Sequence, residues 1–302
     1  MNDAQLTIFT PTYNRGYIIK NCYESLCQQT NKDFYWLIVD DGSTDNTEEL
    51  VESWKRENKL NITYIKQENS GKHVAHNTGV LNCKTDVFVC VDSDDYLTED
   101  AVSVIYNQWE KINSNHSLAG MIALKGYANG KPTGTRMPSG INQCKMFDLY
   151  QKYGFKGDAI IILRTEVLRK NLFPVFDGEK FVTEAVVYDK IDQEYEVLLV
   201  DRLLYICDYL EDGYSRNILK VHRASPKGYM FFLSERINYA KSLTDRYKAI
   251  SYFLAGRWRV KHKQPIEYLD YKILYLLAIP KAIIIFIKPI IKNLLIKFGV
   301  FK

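Results

Sequence analysis

A chain of 302 residues with 46% hydrophobic and 13% aromatic side chains can bury a large core, and that composition excludes a disordered protein. The formal charge of +4 is concentrated in the tail: five of the 40 basic residues (Lys281, Lys288, Lys292, Lys297 and Lys302) fall in residues 273–302, which hold no acid, leaving 35 basic against 36 acidic residues elsewhere. A body so balanced lacks the basic face of a nucleic-acid-binding domain, and no nucleic-acid partner is expected.

The six cysteines (22, 27, 83, 90, 144 and 207) form no CxxC pair and suit buried thiols in a reducing cytoplasm. The opening MNDAQLTIFT has no basic stretch before its apolar run, so neither a signal peptide nor an N-terminal anchor is expected. Without an export signal, the sequons at Asn61 and Asn115 carry no weight.

In chain order, Gln5 to Thr10 predicts a strand that stops at Pro11, because proline cannot donate to a ladder. A helix over Tyr17 to Gln28 follows, then a buried strand at Phe34 to Val39 and a helix through Trp54 opened by the turn DDGSTD. Ile62 to Ile65 gives a third strand, and QENSGKH leads into a helix from Val74 to Asn82. The apolar run Val87 to Val91 reads as a fourth, fully buried strand, with a helix from Glu99 to Ile112 behind it. This alternation predicts right-handed βαβ units and a mostly parallel, Rossmann-like sheet flanked by helices. Beyond it, Gly126 to Gln143 is rich in Gly and Pro and predicts a mobile loop or short hairpin. Further strands are expected at Ala159 to Leu163, Val197 to Val200 and Leu203 to Tyr209, with a helix from Glu184 to Ile191. From Pro226 the pattern is helical and aromatic. The expected division is 1–118 as a nucleotide half, 119–228 as an acceptor half and 229–302 as a helical region with a basic tail at 273–302.

Each of the first four strands ends in a polar loop: PTYNR, DDGSTD, ENSGKH and DSDD. In an open parallel sheet such loops meet along one edge, where ligands bind. The carboxylates Asp92, Asp94 and Asp95 are too close to remain ionised together without a counter-charge, which suggests a hard divalent cation and a pyrophosphate. Gly71 lets backbone approach a phosphate, and Lys72 can meet it as a point charge. No GxGxxG opens a helix after any strand, which removes a nicotinamide-dependent oxidoreductase.

The ordered set TPTYNR, VDDGSTD, ENSGKHVAHNTG and VDSDD resembles the inverting, nucleotide-sugar-dependent glycosyltransferases of family 2, which have the GT-A fold. The resemblance covers residues 5 to 115 closely and 150 to 230 loosely, and stops short of the last seventy. It implies transfer of a sugar from a nucleotide-sugar donor, UDP-linked, to a cell-surface glycan or a lipid-linked acceptor. By that resemblance Pro11, Thr12 and Tyr13 line the nucleoside pocket, Asp41 reads the base, and Asn77 lies at the donor. Asp92 and Ser93 would meet the ribose, Asp94 would ligate Mn2+ or Mg2+, and Asp95 is left to cap the next helix. His76 stands where relatives carry an arginine, so phosphate contact and a packing role are both open to it. Glu184 in GEKFVTEAVVYDKI takes the place of the base that accepts the acceptor's proton, with Glu179 as a rival or as an acceptor contact beside Asp158. His222 is a second candidate metal ligand. A non-catalytic, membrane-associated nucleotide- or carbohydrate-binding subunit with the same fold is the alternative, and Glu184 separates the two.

The run from Ile273 to Ile287 is apolar but broken by Pro280 and Lys281, so it is a poor spanning helix. Lys281, Lys288 and Lys292 share one helical face, which predicts a helix lying in a membrane surface at the inner face of the cell. A core-packed helix and a single kinked span are the alternatives.

Overall fold

The structure, a computed structural model, describes residues 5–207, 214–260 and 271–297. β1 (Leu6–Thr12), β2 (Tyr35–Asp40), β3 (Asn61–Lys66) and β4 (Val87–Cys90) lie in the order β3-β2-β1-β4, all parallel. α1 (Lys20–Cys27), α2 (Thr47–Glu57) and α3 (Lys72–Asn82) connect them. β1 is buried throughout, as a strand covered on both faces must be, whereas the edge strand β3 holds only exposed and half-buried residues. Pro11 does not end β1: it pairs with Val39, and Thr12 pairs with Asp40. Backbone groups alternate sides along a strand, and the Phe9 carbonyl accepts the Val91 N–H on the β4 side. Pro11 therefore turns its missing N–H to that same side, past the last ladder pair with β4, where none is needed.

Past this point the sheet is no longer parallel. After the two-residue strand β5 (Tyr96–Leu97) and α4 (Ala101–Asn113), β6 (Leu118–Gly126), β8 (Ala159–Arg164) and β9 (Glu196–Ile206) extend it as β4-β8-β6-β9. β8 is antiparallel to both its neighbours, and β5 and the short β7 (Gln143–Cys144) are antiparallel to β9. The mostly parallel sheet expected from the sequence is thus a mixed one. β6 was not legible because LAGMIALKG is apolar throughout and broken by a glycine; a Cβ on Gly120 would lie 2.0 Å from the Ile162 carbonyl oxygen of β8. The two strands expected between Val197 and Tyr209 are one, β9. Asp201 and Arg202 bulge from it, since Ala123 pairs with Val200 and the next residue, Leu124, with Leu203. Asp201 accepts the Met137 N–H at 3.0 Å and the Arg136 guanidinium at 2.9 Å, which anchors the Gly-rich loop. Tyr127 and Lys131 close the short hairpin within it.

α5 (Met146–Gln151), α6 (Thr165–Lys170) and α7 (Ala185–Glu194) complete the α/β part. The chain forms two compact units, Met1–Phe173 with Val187–Glu211 and Pro174–Val186 with Asp212–Lys302. The boundary expected at 118/119 falls at the start of β6 and that at 228/229 inside the helix after Ser225. The first unit is centred on aromatic stacking, with Tyr23 and Trp54 rings 4.3 Å apart and Trp36 donating to Thr10 Oγ1 at 2.9 Å. Its six cysteines are all free thiols.

The second unit consists of α8 (Tyr214–Ala224), α9 (Pro226–Asn238), α10 (Leu243–Val260) and α11 (Lys272–Lys297). Met230, Leu233, Ile237, Ile250, Phe253 and Leu254 form its core with Tyr275, Ala278 and Ala282 of α11. Among the described residues, no helix is long and apolar enough to cross a membrane.

One buried cation ties the sheet to α4. Arg164, at the end of β8, donates to the carbonyls of Leu118 at 3.0 Å and Ile112 at 2.7 Å, and its guanidinium lies 4.8 Å from the Trp109 ring. Those carbonyls belong to the end of α4 and the start of β6, and the Ile112 carbonyl also accepts the Asn115 N–H at 2.8 Å. Arg164→Met is expected to remove these charge-assisted bonds and to lower stability by about 2 to 3 kcal/mol in urea titration, with the fold retained.

Candidate active site

The carboxyl ends of β1, β2 and β4 lie on one edge of the sheet. The antiparallel β8 starts on that edge and β6 ends there, since Leu124 pairs with Ala159. The loop after β1 and the loop after β2 are tied together. Asn14, in the left-handed region at φ 52°, donates its N–H to Ser43 Oγ at 2.8 Å and accepts the Thr44 N–H at 2.8 Å. Asp45 accepts the Gly16 N–H at 2.9 Å and the Thr47 N–H at 3.1 Å, tying the loop after β1 to the start of α2.

Asp41 is buried and holds three loops together. Its N–H donates to the Thr12 carbonyl at 2.8 Å. Its Oδ1 accepts from Gln67 Nε2 at 2.8 Å and from the Ser70 N–H at 2.9 Å, and Oδ2 accepts the Gly71 N–H at 2.7 Å. Gly71 reaches that position at φ 97°, a conformation costly for any residue with a Cβ. Of the roughly four acceptor positions of a carboxylate, one on Oδ2 stays open to a ligand. Thr12 Oγ1 and both His73 ring nitrogens are buried near Asp41 with no hydrogen-bond partner among the described residues. Burial lowers the His73 pKa against the opposing pull of Asp41, which keeps the imidazole neutral. Tyr13, beside Thr12 and Pro11, is 47% exposed and presents a ring face. These groups suit a heterocycle with polar edges.

The acidic turn follows β4. Lys72, on the first turn of α3, pairs with Asp92 at 2.7 Å. Burial pushes Asp92 up, but Lys72, with Lys125 and Arg15 beyond it, outweighs that and holds the carboxyl below its ordinary range. Ser93 is buried beside it. Asp94 moves the other way: burial and the Asp92 charge raise it. Asp95 is buried, and burial with the charge of Asp92 lifts it to about 7 despite the bond from Tyr205. It does not cap α4 as expected, because β5 intervenes and Asp100 precedes the helix. Tyr205 donates to Asp95 Oδ2 at 2.7 Å and accepts the Asp92 N–H at 3.0 Å, pinning both ends of the turn. Lys125 Nζ lies 4.0 Å from the centre of the Tyr205 ring. Tyr205, Lys125 and His73 were missed in the sequence: Tyr205 read as an ordinary strand residue, Lys125 lay in a stretch assigned to no element, and His73 sat in the loop expected before α3.

Other expected residues have different work. Asn77 donates to the Phe173 carbonyl and accepts the Phe173 N–H, both at 2.9 Å, so its amide ties α3 to the chain after α6 rather than facing a donor. His76 packs among Phe9, Phe88 and Phe173 at 5.1–5.6 Å, the packing one of its two expected roles. Asp158 is exposed at the start of β8, with its carbonyl accepting the Lys125 N–H, on the same edge as Asp92.

Glu184, Glu179 and His222 belong to the second unit. Glu184 is exposed in the turn just before α7. Glu179 is not an acceptor contact here: it is buried, and its two oxygens accept the N–H groups of Lys227 at 2.7 Å and Gly228 at 2.8 Å, which caps α9. The His222 ring stacks on Tyr229 at 4.0 Å, and burial together with the Arg259 charge pushes it down to about 4. A neighbouring guanidinium also repels a metal ion, so His222 serves packing rather than ligation.

Among the described residues no group of three or more His, Cys, Asp or Glu is arranged to hold a metal. The acidic turn nonetheless fits a hard cation that takes one or two carboxylates and completes its shell with phosphate oxygens. Asp94 supplies oxygen donors, and its raised pKa marks a site that gains from added positive charge.

A mixed sheet whose strand-end loops gather a carboxylate cradle, a lysine and an acidic turn along one edge is an α/β fold of the GT-A type. The model described as Glycosyl transferase family 2 matches residues 7–172, more than half of the chain, and the chain belongs to that family. TarP of Staphylococcus aureus, a poly(ribitol-phosphate) beta-N-acetylglucosaminyltransferase, is 24% identical over 76% of this chain and 70% of its own. The crystal structure of S. aureus TarS residues 1–349 with UDP-GlcNAc superposes with a TM-score of 0.58 at 19% identity, covering 93% of this chain and 81% of that one. The mannosyltransferase PcManGT from Pyrobaculum calidifontis with GDP-Man and Mn2+ gives 0.56 at 16%, covering 94% and 87%. At these identities the two structures show a shared fold. Curated relatives at 33% to 36% identity match over 106 to 113 residues, and the chain spans only 15% to 18% of their length.

The Asp95 carboxyl gives a measurable signature. Its folded pKa, about 7, is above the unfolded value, so between pH 4 and 7 the folded state holds more protons and stability falls as pH rises. Asp95→Asn is expected to flatten that slope and to gain stability at pH 8 relative to pH 5, by at most about 4 kcal/mol, in paired urea titrations.

Proposed function

We propose that the chain transfers a sugar, with inversion, from a UDP-linked donor to a hydroxyl of a cell-surface glycan or lipid-linked acceptor, at the inner face of the cell membrane. The observation that carries this reading is the acidic turn, where Lys72 neutralises Asp92 while Asp94 is left with a raised pKa beside it. A nucleoside enters beside Asp41, Thr12 and Tyr13, with the open position on Asp41 Oδ2 accepting a ring N–H. Lys72 leaves Asp92 for the diphosphate, to which it offers three donors. Asp94, with Asp92, would hold Mn2+ or Mg2+, and the ion would supply positive charge against the departing nucleoside diphosphate. The UDP preference is supported by the UDP-GlcNAc held by TarS and by the transfer named for TarP.

Inversion asks for a base on the acceptor side. Glu184 takes the proton of the acceptor hydroxyl as its oxygen bonds to the anomeric carbon and the carbon–phosphate oxygen bond breaks on the opposite face. Asp158 meets acceptor hydroxyls. Glu179 is not available for this work, since its carboxylate caps α9.

Two substitutions test the reading. Asp94→Asn is expected to keep the fold and to reduce Mn2+-dependent turnover of UDP-GlcNAc by about 100-fold or more, followed as UDP release. Undiminished turnover removes Asp94 from the site. Glu184→Gln is expected to bind UDP-GlcNAc with unchanged affinity by calorimetry while kcat drops about 100- to 10,000-fold. Wild-type protein that binds the donor but transfers to no acceptor would instead be a binding subunit.

A further inference from the structure

α11 has three distinct faces. Tyr275, Ala278 and Ala282 are buried against α10 and α9. Pro289 deprives the Ile285 carbonyl of its helical donor, and Arg259 of α10 donates to that same carbonyl, so the helix continues through the proline while held to its neighbour. The orientation of α11 on the bundle is therefore fixed. On the far side lie Ile273, Leu276, Leu277 and Ile284, 60% to 76% exposed, continued by Ile283 and Ile287. At 100° per residue these six fall within about 120°, centred opposite Ala278 and Ala282. Lys272 and Lys288, both exposed, lie about 80° to either side of that centre, and Lys281 borders the same edge as Lys288, reaching to 5.0 Å from the Tyr247 ring. The lysines thus flank an apolar stripe instead of forming the helix's solvent face; the side chain of Lys292 lies outside the described residues.

We propose that this outward stripe is a lipid-binding surface that enters the headgroup boundary of an anionic phospholipid bilayer. Its apolar width faces the acyl chains and the bordering lysines meet phosphates, the arrangement by which a helix lies in an interface. A second copy of the chain is a worse occupant. Residues 271–302 contain no acid, so two such helices packed stripe to stripe would bring lysine rows together without compensation. A span is also excluded, because the opposite face of α11 is buried in the protein's own core. The surface rests on the proposed function only for the choice of acceptor, since lipid binding is measured without transfer.

The test uses the full chain sedimented with vesicles of phosphatidylcholine alone and with about a quarter phosphatidylglycerol, at low and high salt. Pelleting with the anionic vesicles, weakened by salt, is expected. Leu277→Glu/Ile284→Glu is expected to reduce that partitioning about tenfold or more, with Tm and UDP binding unchanged, while Leu81→Glu, at an exposed site on α3, leaves it intact. Equal pelleting of the double variant, or none by the wild type, overturns the surface. So does a wild-type dimer in light scattering that becomes monomeric in the double variant. Absent transfer with intact pelleting strikes the proposed function and leaves the surface standing.

Discussion

The Lys72–Asp92 ion pair, 2.7 Å long and about a quarter to a third exposed, is the interaction on which the acidic turn depends. Three carboxylates within four positions repel one another by amounts that a partly buried site cannot screen. The fold answers with three different environments. Asp92 is held ionised by lysines, and burial with the Asp92 charge keeps the Asp95 proton to near neutrality. Asp94 has neither a lysine partner of that kind nor full burial, so the demand for a cation falls on it. Lys72 stands at the start of α3, where the Gly71 turn and the Asp41 cradle place it. The Asp41 cradle and the acidic turn are thereby one mechanical unit.

The strand-end motifs were legible because each buried apolar run stops abruptly at a polar loop, and parallel strands bring such stops to one edge. What could not be read depends on register between distant segments. Tyr205 and Lys125 reach the acidic turn only through the pairing of β6 with β9, whose register is set by the irregularities at Asp201–Arg202 and at Leu204. Asp95 resembled a helix cap because a two-residue strand leaves no periodic trace. Asn77 and Glu179 are polar residues in loops and first turns that looked ligand-facing, yet backbone groups claim them. An unsatisfied helix N-terminus draws a carboxylate as strongly as a substrate does.

The tail shows a similar limit. Sequence periodicity located the lysines of α11 on one side, but it could not say which of the remaining faces the protein itself would cover. Packing on α10 takes the small residues Ala278 and Ala282, since these allow close approach, and leaves the bulky Ile and Leu residues outside. The apolar outward face is thus a consequence of which residues the bundle could accept.

The central claim is that the acidic turn binds a nucleoside diphosphate through a shared divalent cation. Calorimetric titration of UDP into the wild-type chain, in Mn2+ and then in EDTA, measures this directly. Binding at least about tenfold tighter with Mn2+ is the result the account predicts. Equal affinity in the two conditions would contradict it.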